Sequence, residues 1–72
     1  MNITNLEDII YLLMRRDHID HNEAYHLITD VRAELNEIVA NEDNAFVAYE
    51  LAAELLQAEL GLEPDYLDIL MG

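Results

Sequence analysis

Apolar residues recur along this chain at the spacing of a helix and nowhere at the spacing of a strand. Ala24, Leu27, Ile28, Val31, Leu35, Ile38 and Val39 follow an i, i+3, i+4, i+7 rhythm, which predicts a helix from about His21 to Ala40. Leu6, Ile9, Ile10, Leu13 and Met14 predict an earlier, shorter one. From Ala45 to Leu60 the chain reads AFVAYELAAELLQAEL, with the polar Glu50, Glu54 and Gln57 crowded on one narrow side. An ordinary surface helix has a single apolar stripe, so this third helix is expected to need neighbours on two or three sides and to be the hub of the molecule. Tyr66, Leu67, Ile69, Leu70 and Met71 then predict a short apolar closing helix. The expected fold is all-α, a small bundle of three main helices plus a short C-terminal helix, in one domain over residues 1–72.

Polar residues punctuate this pattern. Thr4-Asn5-Leu6-Glu7 has the form of a capping box, with the Thr4 hydroxyl and the Glu7 carboxylate satisfying free amides at the start of the first helix. Arg15 and Arg16 fall in its last turn, where cations oppose the negative end of the helix dipole. Asp20-His21-Asn22-Glu23 predicts a second cap, with Ile19 placed to pack on Ala24. Asp43 or Asn44 is suited to cap the third helix, and Gly61 to end it, with Leu62 folding back towards Leu56. Glu63-Pro64-Asp65 restarts the chain, because proline is tolerated in a first helical turn.

Charge changes the picture most. Sixteen acidic residues stand against three arginines and no lysine, for a formal net charge of -13, and from Ala33 onward there is no cation at all. Disordered chains can be this acidic, but they are poor in apolar residues, whereas this one is 53% hydrophobic and is expected to fold. Direct binding to DNA, RNA or an anionic membrane is disfavoured, since each requires clustered Lys and Arg. No cysteine is present, no leader-like segment opens the chain, and the longest apolar run is far short of a membrane span, so the expected setting is cytoplasmic.

Chemistry is sparse. His18-x-x-His21 beside Asp17 and Asp20, and Glu23-x-x-His26, have spacings seen at metal sites, but Glu23 and His26 flank the apolar stripe and no inward-facing partner glutamates accompany them. Thr4 and Thr29 are the only hydroxyls of the serine type, and no nucleophile set or glycine-rich phosphate loop is present. No catalytic residue, metal or cofactor is therefore assigned.

What the sequence offers instead is surface. Glu23, Asp30, Glu34 and Glu37 align along one flank of the second helix without a cation three or four residues away, and Glu50 and Glu54 repeat this on the third. Like charges at that spacing cost a few tenths of a kcal/mol per pair. The rows are either solubilising or directed at a basic protein partner, and a nucleic-acid mimic that inhibits a DNA- or RNA-binding protein is an alternative. Apolar residues also exceed what short helices bury among themselves. A homodimer is expected, with Tyr11, Leu12, Phe46, Val47, Tyr66 and Leu70 as its apolar interface.

The ending ELGLEPDYLDIL, from Glu59 to Leu70, resembles the end of small acidic helical proteins of unknown function from phages and other mobile elements of low-GC Gram-positive bacteria. The resemblance covers about a sixth of the chain and implies no activity. It implies a setting in which small acidic proteins that block host nucleic-acid enzymes occur. The functional expectation is a small, acidic, non-enzymatic protein-binding module, an accessory or regulatory protein of a phage or mobile element.

Overall fold

Three Asn or Asp side chains start the three main helices. Asn5 accepts from the Asp8 N–H and opens α1 (Leu6–Asp17), and Asp20 accepts from the Glu23 N–H and opens α2 (His21–Asn41). Asn44 accepts from the N–H groups of Phe46 and Val47 and opens α3 (Ala45–Leu60). A 3₁₀ turn over Pro64–Tyr66 leads into α4 (Leu67–Met71). The computed structural model describes residues 3–71; Met1, Asn2 and Gly72, which the sequence reading places in the same domain, lie outside the described residues. The described residues are all-α, three main helices and a short fourth, as expected.

The first cap differs from the expected one. Asn5 takes the position assigned to Thr4, and Asp8 rather than Glu7 answers it, accepting from both the Thr4 N–H at 3.0 Å and the Thr4 hydroxyl at 3.1 Å. The shift is between adjacent residues that both cap well, each with an acid three residues on, and Asn is at least as strong a cap as Thr. Glu7 is thereby free, and its Oε1 lies 2.8 Å from His21 Nε2 at the start of α2.

Two of the helices end on left-handed residues. α3 stops at Gly61, whose φ of 64° lies in the left-handed region and whose N–H bonds the Gln57 carbonyl at 3.0 Å. Leu62 then turns inward and is buried. α1 stops the same way at His18, with φ 56°, a conformation that costs a residue with a Cβ about 1–2 kcal/mol.

The hub is α2, not α3. α2 packs against α1, α3 and α4, and no comparable pairing joins α1 to α3. Length and pattern explain the difference. At 21 residues, α2 runs about 30 Å, against a longest molecular dimension of 37 Å. Its buried Ala24, Ile28, Val31 and Leu35 form a continuous seam. They meet Ile9, Ile10 and Leu13 of α1, Ala52, Leu56 and Leu60 of α3, and Leu62, Leu67 and Leu70 in one apolar core. That core holds no polar or charged side chain among the described residues.

Helix α3 has neighbours on two sides, α2 and the 3₁₀ turn with α4, yet only the i, i+4 stripe Ala48, Ala52, Leu56 and Leu60 is buried. Phe46, Tyr49 and Leu51 remain 71%, 55% and 41% exposed. The wide apolar arc is thus real in the sequence and left partly open by the fold.

Candidate protein-binding surfaces

Few cations are left to face the acids. Arg16 holds Asp17 through two 2.9 Å contacts and reaches the Gly61 carbonyl at 3.5 Å, at the C-terminal end of α3. Arg32 Nε donates to the Leu70 carbonyl at 2.9 Å, at the C-terminal end of α4. Both arginines are thereby used where helix dipoles present negative charge. The remaining one, Arg15, lines a shallow groove with Ile3, Leu12, Arg16 and Tyr66. Among the described residues the ion pair is Arg16–Asp17, and His21 contacts Glu7 at 2.8 Å; both contacts involve α1. The carboxylates of the second half of α2 and of α3 have no cationic partner there.

Two pockets flank α3. The first is a groove of about 510 Å³ between α2 and α3, whose lining comes from these two helices and the cap residue Glu42 alone. Ile38, Leu51 and Leu55 make its apolar floor, and Glu34, Glu37, Glu42 and Glu59 its rim. The second is a notch of about 490 Å³ between the end of α2, the start of α3 and α4. It is hollow because Ala45, Ala48 and Ala52 face it from α3, with Val39, Tyr49 and Met71 around them. Val39 and Met71 are themselves 49% and 37% exposed. Glu42, Asp43 and Asp68 stand at its edge.

The residues singled out by sequence are distributed unevenly over these surfaces. Glu34 and Glu37 share the α2/α3 groove, joined by Glu42 and Glu59, which the sequence reading did not include. Their signal was tertiary: Glu42 closes α2 and Glu59 lies in the last turn of α3, and only antiparallel packing brings the two to one rim. Glu23, Asp30, Glu50 and Glu54 are exposed and do not line that groove. At about 100° per residue, Glu54 lies opposite the buried stripe of α3.

The apolar set is corrected in one place and divided in the others. Leu70 is 1% exposed and belongs to the core, because the Leu67/Leu70 side of α4 is the side that faces α2 and α3. It is not a surface residue. Leu12, Val47 and Tyr66 are half-buried, and Leu12 and Tyr66 border the arginine-lined groove rather than an apolar patch. Among the described residues Phe46 is the most exposed of the large apolar side chains. Tyr11 is exposed and sets its ring edge-on to His21 at 6.4 Å.

The histidines stand apart from one another in role. His18 is the left-handed cap of α1, His21 bridges to Glu7, and His26 lies edge-on to Tyr25 at 5.9 Å. Among the described residues no three His, Asp or Glu side chains gather in a group able to hold a metal ion. The shifted acids are structural. Asp8 is held below its usual value by the Thr4 N–H above all, and Asp17 by its hydrogen bonds to Arg16. Among the described residues, no helix is long and apolar enough to cross a membrane. No family model, curated protein or solved structure matches this chain, so any reading of function rests on these surfaces.

Proposed function

We propose that the chain is a small, acidic, non-enzymatic protein-binding module that acts by surface contact, in the role of an accessory or regulatory protein of a phage or mobile element. It takes a basic protein partner and also associates with a second copy of itself. What supports the reading is one contrast: among the described residues the core is wholly apolar, yet eight large apolar side chains stay exposed, led by Phe46 at 71%. A small domain that leaves so much apolar area open is the kind that gains stability from association.

The test is the solution mass by light scattering across a wide range of protein concentration. The expected result is a mass that rises from one chain of 8.3 kDa towards two. A mass constant at one chain would remove the self-association and leave the open surface to a different protein.

A nucleic-acid mimic is the second reading, favoured by the cation-free carboxylate row Glu23, Asp30, Glu34 and Glu37 along α2. A mimic loses its target on Glu34→Lys with Glu37→Lys and keeps it on Leu51→Asp and Phe46→Asp, whereas a module that docks a basic partner through apolar contact also loses it on an apolar substitution such as Leu51→Asp.

A further inference from the structure

Resting on the protein-binding reading, we infer that the α2/α3 groove seats one helix of a partner protein, apolar along one side and rich in Lys or Arg on its flanks. The groove is a valley between two helices, and no residue of α1 or α4 lines it. From Leu51 to Glu59 it follows α3 for about 12 Å, the length of two to three turns of a guest helix. A bundle with no strand among its described residues has no sheet edge to extend, which leaves an amphipathic helix in a groove as the fitting mode.

Floor and rim together select the guest. Ile38, Leu51 and Leu55 reward an apolar stripe, and Leu51 is 41% exposed without one. Glu34, Glu37, Glu42 and Glu59 surround that floor, and no Arg or His lines the groove with them. A guest with neutral flanks would strip water from four carboxylates and return no hydrogen bonds, which is costly. A guest with Lys or Arg beside its stripe satisfies them and is steered in by the field. Nucleic acid and anionic lipid are repelled by the same rim. So is a second copy of this chain, which carries a net charge of -13.

The experiment titrates the full-length chain, labelled with ¹⁵N, with a synthetic helical peptide that has Leu at i, i+3, i+4 and i+7 and Lys on both flanks. A scrambled peptide of the same composition, lacking the apolar stripe, is the control. The expected result is amide shifts concentrated around Ile38, Leu51 and Leu55 with the striped peptide and at least about tenfold weaker binding of the scrambled one. Leu51→Asp, and separately Glu34→Lys with Glu37→Lys, are each expected to weaken binding about tenfold. All three positions are exposed, and an unchanged helical circular dichroism spectrum shows that the variants fold. Equal binding of the scrambled peptide would overturn the inference, since charge alone would then suffice. Shifts confined to Val39, Phe46 and Met71 would also overturn it, while keeping the wider protein-binding reading. Neither peptide binding, in a chain that still self-associates, removes the groove alone; neither binding, in a chain that stays monomeric, removes both readings.

Discussion

The groove and the notch on either side of α3 are almost equal in volume, about 510 and about 490 Å³, and share Glu42 between them. Their floors differ in kind. Branched side chains fill the bottom of the groove, so its apolar surface is shallow and its character is set by four carboxylates. Alanines hollow out the notch, and the apolar side chains Val39, Tyr49 and Met71 stand around it, with Glu42, Asp43 and Asp68 confined to its edge. Phe46 projects one residue beyond the notch residue Ala45. A projecting ring beside a hollow is self-complementary under two-fold symmetry. A standard interface hides about 800 Å² per partner, about a sixth of the 4836 Å² surface here. If the groove takes a basic helix and the notch a second acidic chain, as proposed, two pockets of one size on one helix are expected to respond to salt with opposite sign, the peptide complex weakening as salt rises and the dimer strengthening.

The largest expected effect removes the comparison altogether. Leu56 is fully buried on the stripe by which α3 joins the core, and Leu56→Ala is expected to cost 2–5 kcal/mol, about the whole stability of a domain this small. Urea denaturation should find the variant largely unfolded, with groove and notch lost together. A loss below about 1 kcal/mol would mean that α3 is held some other way.

Phe46→Asp separates the two surfaces. It is expected to weaken self-association about thirtyfold by light scattering, to leave the fold intact, and to leave peptide binding in the groove unchanged. Raising salt from about 0.05 to about 0.5 M should strengthen the dimer of the unsubstituted chain and weaken the peptide complex. If both respond in the same direction, the assignment of charge to one pocket and apolar contact to the other is wrong.

Asp20→Ala sharpens the comparison by leaving both pockets alone. The side chain caps α2 at the end remote from them, so its loss should cost about 1 kcal/mol, a fall of about 4–8 °C in melting temperature. Binding in either pocket should not change.

The smallest effect concerns acid. Asp8 is held below its usual value of 3.8 by its bonds to Thr4. Its contribution to stability is complete above the unfolded value and disappears as pH falls through the lowered, folded one. Asp17, lowered by Arg16, behaves likewise. Asp8→Asn should therefore lower stability most at neutral pH, where the contribution is complete, and flatten the acid limb of the profile below about pH 4. Parallel limbs in the variant and the unsubstituted chain would show that the Thr4–Asp8 hydrogen bonds do not persist in solution.

Local chemistry was legible in detail. Asp20, Asn44, Gly61 and Pro64 mark helix boundaries because caps, left-handed turns and proline restarts depend on a few neighbouring residues. The one slip, Thr4 for Asn5, lies between two adjacent residues that both cap well, where side-chain geometry decides. The acidic flank was legible only in part. Glu34 and Glu37 share a helix face and were found by spacing, but Glu42 and Glu59 are 17 residues apart and come to line one groove only through the packing of two helices. The choice of α3 as hub rested on apolar content, and content does not determine contact: the buried seam of α2 faces three elements, while much of α3 faces solvent.

By itself, the sequence determined that the chain is helical, where its helices begin and end, and that a large negative charge surrounds more apolar surface than one small domain hides. These follow from spacing, capping and composition, which act within a few residues. Only the tertiary structure decided that α2 is the spine, that Leu70 is core and Phe46 is not, and that four carboxylates ring one pocket while alanines hollow the other. Those outcomes depend on which faces of separate helices meet, and that is set by helix lengths and by packing between residues distant in the chain.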